Sequence, residues 1–175
     1  MNNQVKEMYD YHTWANGKIF ERLKELPEDL YKKELKPSIF PSIQMVMIHI
    51  YLTDTLWLEV MSGKDMKEVW GANDQVRLQA ETCTLVEMET KYNELSERYN
   101  AFIQQNDMEK VFTVDNPYAG LLDTTPTETI FHISTHGNYH RGNIAAMLRQ
   151  EGHASVMQDY GLYLYVQRNG FKSPV

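Results

Sequence analysis

The sequence predicts an all-α protein organised as an antiparallel four-helix bundle. Three observations predict this fold: long segments whose apolar residues recur at steps of three and four, turn residues between those segments, and only one short stretch of extended pattern. Steps of three and four place apolar side chains on one face of a helix, and packing helix against helix buries those faces. The 175 residues match the length of a single domain, so residues 1–175 are expected to share one core.

The first two predicted helices are separated by a loop that contains two prolines, Pro37 and Pro41. The apolar stripe of the first helix covers residues 5–26 and stops at Pro27, because proline lacks the N–H group that a helix interior needs. The loop covers residues 28–41. Ser42 is the expected N-cap of the second helix, since its hydroxyl can accept a hydrogen bond from the first turn, and Gly63 ends that helix.

The middle of the chain contains the third helix and a short extended excursion. Residues 63–79 are polar and mixed, and we expect an irregular connection there. The third helix covers residues 85–102, whose heptad-like stripe is typical of a bundle helix. Between residues 106 and 126 the pattern changes, and two short extended pieces, 111–114 and 121–122, flank a turn.

The fourth helix is the longest predicted element. It begins near Thr127, just after Pro126, and runs to residue 151, with Gly152 as its candidate C-cap. A short extra helix over residues 156–168 follows it. The connections between the second, third and fourth helices are long, so a simple alternation of up and down helices is not required.

Composition limits the function classes and the compartment. A net charge of −7 argues against a nucleic-acid binder, which usually presents a basic face. Cys83 is the single cysteine, so no internal disulfide can form and a reducing cytoplasm is expected.

The chain starts without the apolar region of a secretory signal. Residues 43–61 are the most hydrophobic segment but include His49, Asp54 and Glu59, so we expect a buried helix and no membrane span.

Two histidines on the fourth predicted helix carry the main functional signal. His136 and His140 are four residues apart, so both side chains lie on one face of that helix. At about 100° per residue, Ile144 and Met147 lie within about 40° of His140, so this face is the apolar one. His132 lies about 80° away and ~12 Å along the axis from His140, so one ion cannot bind both. The pattern favours the pair 136 and 140 over the pair 132 and 136.

A third histidine, His49, lies on the buried stripe of the second predicted helix. A lone core histidine is commonly satisfied by a backbone carbonyl or a hydroxyl group. Three buried imidazoles in one bundle can instead share a cation, so His49, His136 and His140 are predicted to bind one divalent metal. Three protein ligands leave a position open, as in catalytic sites. Gly137 stands where a zinc-protease His-Glu-x-x-His motif has its glutamate, so no built-in base is expected.

Three further polar residues, His12, Asn16 and His132, are candidates for orienting a ligand or the substrate. His12 and Asn16 lie on the core stripe of the first predicted helix, where ordinary packing also explains them. His132 lies on the flank of the apolar face, where a flank position without a binding role is the favoured interpretation. Arg141 points about 100° away from His140 and is expected to form a structural ion pair.

The chain resembles the DinB family of damage-inducible bacterial proteins over essentially its whole length. The resemblance lies in Tyr11-His-Thr-Trp-Ala-Asn16, in His49, and in His136-x-x-x-His140-Arg-Gly-Asn-Ile144 followed by Leu148-Arg-x-x-Gly152. The motif on the fourth helix is the specific part. Asn143 replaces the glutamine that usually follows Arg-Gly, which leaves the three histidines unchanged.

The resemblance implies a four-helix bundle in which His49, His136 and His140 hold a single divalent metal, and it implies a homodimer. Related bacillithiol- and mycothiol-dependent enzymes use the metal to activate a low-molecular-weight thiol, as S-transferases or as a thiol-dependent isomerase. The expected function is therefore thiol S-transfer to a small-molecule substrate. Zinc or nickel is the expected metal, with iron or manganese as alternatives.

Two other functions stay open at this point. A metal-dependent hydrolase would use the same site with a bound hydroxide. A non-catalytic, metal-binding stress-response protein would use the metal for stability alone. Assays with and without a thiol separate the two enzymes, and a metal that stabilises the fold without any turnover identifies the third function.

Overall fold

The computed structural model describes residues 2–35 and 39–170. Helices dominate, and the two strands found in these ranges form one small antiparallel sheet. The elements in chain order are α1 (Asn2–Lys24), a short 3-10 helix (Glu28–Tyr31), α2 (Ile43–Met61), α3 (Met66–Thr82), α4 (Leu85–Gln105), β1 (Phe112–Asn116), β2 (Gly120–Thr124), α5 (Pro126–Gln150) and α6 (Tyr160–Asn169). The predicted all-α fold class is confirmed.

Four long helices, α1, α2, α4 and α5, form the bundle. Helix α5 packs against both α1 and α2, and α4 packs against the same two helices. The core contacts show that α1 and α5 run in one direction, whereas α2 and α4 run in the opposite direction. The bundle therefore departs from a simple alternation of up and down helices along the chain.

A layer of polar side chains divides the core of the bundle into two apolar halves. On α1, Val5 and Tyr9 belong to one half, and Ile19 and Leu23 belong to the other. The buried polar residues between the halves are His12, Asn16, Asp54, Ser134 and Arg141. Burying such groups costs free energy unless they are bonded to one another, so their partners are described with the site below.

Side-chain caps fix the starts of the two helices that carry the three candidate histidines. The Ser42 hydroxyl accepts a hydrogen bond from the Met45 N–H at 3.2 Å, which confirms the predicted N-cap of α2. Helix α5 begins with a capping box in which Thr125 and Glu128 each accept from the other's backbone N–H, at 3.2 and 3.0 Å. Pro126 is therefore the first residue of α5, one position earlier than predicted.

The prediction for residues 63–79 is wrong, because α3 covers most of this segment. The Asp65 side chain caps α3 because it accepts hydrogen bonds from the backbone N–H groups of Lys67 and Glu68, at 2.9 and 3.1 Å. Only Met66 and Ala80 of this helix are buried. Helix α3 lies on the surface of α2 and lacks the apolar stripe on which a prediction of helix depends.

The extended excursion and the C-terminal helix are present, with shifted boundaries. Strands β1 and β2 pair from Phe112 opposite Thr124 to Asn116 opposite Gly120. Helix α6 begins at Tyr160, four residues later than predicted. No helix in ranges 2–35 and 39–170 is long and apolar enough to cross a bilayer.

Candidate metal centre

Three histidine rings from two helices converge on one point. His49 comes from α2, whereas His136 and His140 come from successive turns of α5. Nε2 of His49 lies 3.1 Å from Nε2 of His136 and 3.1 Å from Nε2 of His140. The Nε2 atoms of His136 and His140 are 3.0 Å apart. The structure therefore brings together the three histidines that the sequence pattern singles out.

Hydrogen bonds among the three rings cannot account for this triangle. A ring nitrogen either carries a proton and donates or carries a lone pair and accepts. In a triangle of three such nitrogens, at least one pair must consist of two donors or of two acceptors, and that pair cannot form a hydrogen bond. A cation removes the conflict, because all three nitrogens can present a lone pair to it. Metal–nitrogen bonds of about 2.0–2.1 Å allow one ion to contact all three, so these residues fit a divalent metal.

The electrostatic surroundings favour the neutral rings that a metal requires. Burial, followed by the neighbouring rings of His140 and His49, lowers the pKa of His136 to about 3. Burial, followed by His49, lowers the pKa of His140 to about 4. Burial also lowers the pKa of His49. At neutral pH the rings keep their lone pairs, so a metal does not have to displace protons in order to bind.

The metal-free protein is expected to lose stability as the pH falls below about 6.5. Near that pH the unfolded chain binds protons at His136 and His140, whereas the folded chain binds them only near the lowered pKa values of about 3 and 4. Each ring adds a slope that stays below ~1.4 kcal/mol per pH unit, because solvent beside these half-buried rings screens part of the effect. Urea unfolding of chelator-treated protein between pH 6.5 and 5 measures this slope.

The matched comparison for that titration is the double variant His136→Gln/His140→Gln. Glutamine does not titrate, so the pH dependence of its unfolding free energy should be flatter across the same window. Equal slopes in the two proteins would contradict the lowered pKa values.

Three residues that were not predicted as site residues border the cluster. The ring centroid of Phe40 lies 5.2 Å from that of His49 and 5.4 Å from that of His140. The Tyr139 ring lies 5.0 Å from the His140 ring, and Tyr139 is 63% exposed. The amide nitrogen Nδ2 of Asn143 lies 3.3 Å from Nδ1 of His140. When Nε2 binds a metal, Nδ1 carries the ring proton, so the Asn143 amide must turn by 180° to present its oxygen as the acceptor.

His132 lies beside the cluster, at its exposed edge. Its ring centroid is 5.9 Å from that of His136 and 5.3 Å from the Trp57 ring on α2. The atoms that converge come from His49, His136 and His140. The preference for the pair 136 and 140 over the pair 132 and 136 therefore agrees with the geometry.

His12 and Asn16 lie behind the cluster, in the polar layer of the core. Nε2 of His12 lies 2.8 Å from Oδ2 of Asp54 on α2, and Nη1 of Arg141 lies 3.3 Å from Nδ1 of His12. Nη1 of Arg141 also donates to Oδ1 of Asn16 at 2.8 Å. We call His12, Asn16, Asp54 and Arg141 the buried network, which joins α1, α2 and α5.

Arg141 differs from the ion-paired residue that the sequence pattern suggests. It is 0% exposed, and its guanidinium carbon lies 5.8 Å from the centroid of the Tyr11 ring. Burial lowers the pKa of Arg141, and the neighbouring groups Tyr11 and Asp54 oppose that shift. The His12 imidazole lies between the guanidinium and the Asp54 carboxylate, so the two opposite charges do not contact each other directly.

A small cavity of about 50 Å³ borders Asp54 between α1, α2 and α4. Oδ1 of Asp54 is buried and has no hydrogen-bond partner in the described part of the chain. The cavity exceeds the roughly 10–15 Å³ that one water needs on this measure. An ordered water can therefore complete the hydrogen bonding of this carboxylate.

Comparison with known proteins identifies the family of this chain. The model of the DinB family matches residues 1–171 of the chain. The chain is 45% identical over 169 residues to the protein named Protein DinB of Bacillus subtilis (strain 168), an alignment that covers 96% of this chain and 98% of that relative. The chain therefore belongs to the DinB family.

Proposed function

We propose that this protein binds one divalent metal through His49, His136 and His140 and uses it for thiol-dependent S-transfer. The observation that carries the proposal is the triangle of Nε2 atoms, which lie 3.0–3.1 Å from one another. Three protein ligands leave coordination positions open for a substrate. When bound, a divalent cation lowers the pKa of a coordinated thiol and so favours the thiolate nucleophile.

The residues around the triangle favour thiol transfer over hydrolysis. Metal-dependent hydrolysis commonly uses a carboxylate as general base, and Gly137 occupies the position next to His136 where such a carboxylate would stand. Asp54 is 3% exposed, and its Oδ2 is paired with His12, so it is not available to a water at the cluster. A thiol needs no strong base, because the cation itself brings the thiol pKa toward neutrality.

The side chains at the exposed edge of the cluster have distinct roles in this proposal. Phe40 and Tyr139 place aromatic rings beside the histidines, which suits an electrophile with an apolar body. His132 takes the thiol proton and passes it to solvent. His12 does not, because it is 1% exposed and contacts partners through both ring nitrogens. The thiolate sulfur forms a bond to an electrophilic carbon, and the leaving group departs with the bonding electron pair.

Metal-loaded protein is expected to conjugate a low-molecular-weight thiol to a small electrophile. The test uses bacillithiol or cysteine with an activated aryl halide, and the product is followed by its absorbance. The rate should require metal and should fall to the uncatalysed rate in His49→Ala. The variant His132→Gln should keep its metal and react at least about tenfold more slowly, since proton transfer commonly contributes this much or more.

Each rival function has its own result in the same set of assays. Hydrolysis of esters or amides without any thiol would favour a metal-dependent hydrolase. A metal that raises the melting temperature without turnover across a panel of electrophiles would favour the non-catalytic stress-response function. Either result contradicts S-transfer while leaving the metal site intact.

The other expectations from the sequence stay predictions. They are zinc or nickel as the metal, with iron or manganese as alternatives, a homodimer, a small-molecule substrate, a cytoplasmic location and no nucleic-acid partner. Metal analysis of protein purified from its native host would identify the ion, and sedimentation would determine the oligomeric state.

A further inference from the structure

His12 contacts both of the helices that carry the three converging histidines. It comes from α1 and is 1% exposed. A ring nitrogen that accepts from a guanidinium carries no proton, so the contact of Nδ1 with Arg141 at 3.3 Å places the ring proton on Nε2. Nε2 then donates to Oδ2 of Asp54 at 2.8 Å, and Nδ2 of Asn16, 3.2 Å from the same nitrogen, is a second donor that forms no hydrogen bond with it. This placement of the ring proton satisfies a carboxylate on α2 and a guanidinium on α5 at the same time.

The two partners of His12 are close in sequence to the metal-ligand candidates. Asp54 follows His49 by five residues on α2, and Arg141 directly follows His140 on α5. A sliding movement of α5 along α2 would stretch one of the two contacts of His12. The same movement would change the distance from Nε2 of His49 to the two nitrogens on α5.

The His12 ring also sets how closely α1 approaches α5. A Cβ atom placed on Gly137 would lie 2.4 Å from Cε1 and 2.7 Å from Nδ1 of His12. The ring therefore rests directly on the backbone of α5, between the two turns that carry His136 and His140. This contact leaves no space in which the ring or the helix could shift toward the other.

We propose that His12 is a positioning residue for the metal centre, because its ring fixes the spacing and register at which His49 on α2 meets His136 and His140 on α5. The inference rests on the metal site of the proposed function. It goes beyond that site because His12 controls the arrangement of the three ligands without contacting their Nε2 atoms or the substrate.

The experiment compares metal binding by the wild-type protein with that of three variants: His12→Ala, His12→Asn and His12→Gln. Chelator-treated full-length protein is titrated with cobalt(II), whose visible spectrum reports the arrangement of ligands, and with zinc against a competing indicator. Groups that orient metal ligands commonly change metal affinity by about 10–100-fold. We expect at least tenfold weaker binding and an altered cobalt spectrum for the alanine and asparagine variants. Asparagine and glutamine each retain one donor and one acceptor, but only the longer glutamine side chain reaches the position of Nε2 beside Asp54, so glutamine should recover part of the affinity and the wild-type spectrum.

A matched control separates positioning from general loss of stability. Ile103 on α4 is 3% exposed and lies in the apolar half of the core that contains Val5 and Tyr9, so Ile103→Ala should lower the melting temperature. Its zinc affinity should stay within about twofold of wild type, because its apolar cluster includes no residue of the buried network. A merely structural role for His12 would give the same pattern in the His12 variants as in this control.

The possible outcomes separate this inference from the proposed function. Wild-type affinity and an unchanged cobalt spectrum in folded His12→Ala or His12→Asn would overturn the positioning role and leave the metal site. If His12→Ala does not fold, the asparagine variant decides in the same way. A wild-type protein that binds neither metal would overturn the metal site and the positioning role together. Metal binding without thiol transfer would contradict only the proposed reaction.

Discussion

Replacing Arg141 with methionine is expected to lower the free energy of unfolding by about 3–5 kcal/mol, the usual cost of removing one member of a buried charged arrangement. The guanidinium is fully buried and donates to Asn16 while contacting His12. Its removal leaves the Asp54 carboxylate in the core without a balancing positive charge. Methionine keeps most of the length and apolar volume of the arginine stem, so the loss reports mainly on polar contacts.

The control for this substitution is Arg149→Met, which makes the same chemical change on the same helix. Arg149 is exposed in the last turn of α5, where a positive charge contributes below about 1 kcal/mol. Urea unfolding followed by circular dichroism, with both proteins free of metal, gives the two values. Equal losses in the two variants would show that the buried network contributes nothing specific to stability.

Gly137→Ala is expected to destabilise the protein by about 2–3 kcal/mol through overpacking. The new Cβ atom would lie 2.4 Å from Cε1 of His12 and 2.8 Å from Nη1 of Arg141, and both of these groups are held in place by their own partners. Alanine stabilises a helix by roughly 1 kcal/mol more than glycine does. The measured loss of stability is therefore the cost of overpacking reduced by this gain. Thermal and urea unfolding of the metal-free variant measure it.

Gly142→Ala on the same helix is the matched control, and it should raise the free energy of unfolding where Gly137→Ala lowers it. A Cβ at Gly142 has no neighbour within 4 Å, so this substitution should stabilise the protein by about 0.5–1 kcal/mol through helix propensity alone. The double variant His12→Ala/Gly137→Ala should lose less than the sum of its two single variants, because removing the ring frees the space that the methyl group needs. Additive losses would contradict a direct contact between His12 and Gly137.

The sequence determines most of the fold through the spacing of its apolar residues. Helices α1, α4 and α5 bury one face each, so steps of three and four reveal them, whereas α2 is buried around most of its circumference and is revealed by its high apolar content. Helix α3 was missed because it buries only Met66 and Ala80, and a surface helix of this kind leaves no stripe. The start of α5 was predicted to within one residue, although the capping box of Thr125 and Glu128 was readable in the sequence and would have placed it.

The three converging histidines could be predicted because their positions follow from helical geometry. The angle between His136 and His140, and the apolar neighbours on that face, hold for any regular helix. The buried network could not be derived in the same way, since the meeting of His12, Asp54 and Arg141 depends on how three helices pack. One signal was present: Asp54 follows Ile50 by four residues and so places a carboxylate on the buried stripe of α2.

The metal content of purified protein tests the central claim most directly. Elemental mass spectrometry would be applied to the wild type and to four variants: His49→Ala, His136→Ala, His140→Ala and His132→Ala. The metal site proposed here predicts about one divalent ion per chain in the wild type and in His132→Ala, and its loss in the other three. An absence of metal from the wild type even after incubation with divalent ions, or equal loss in all four variants, would contradict it.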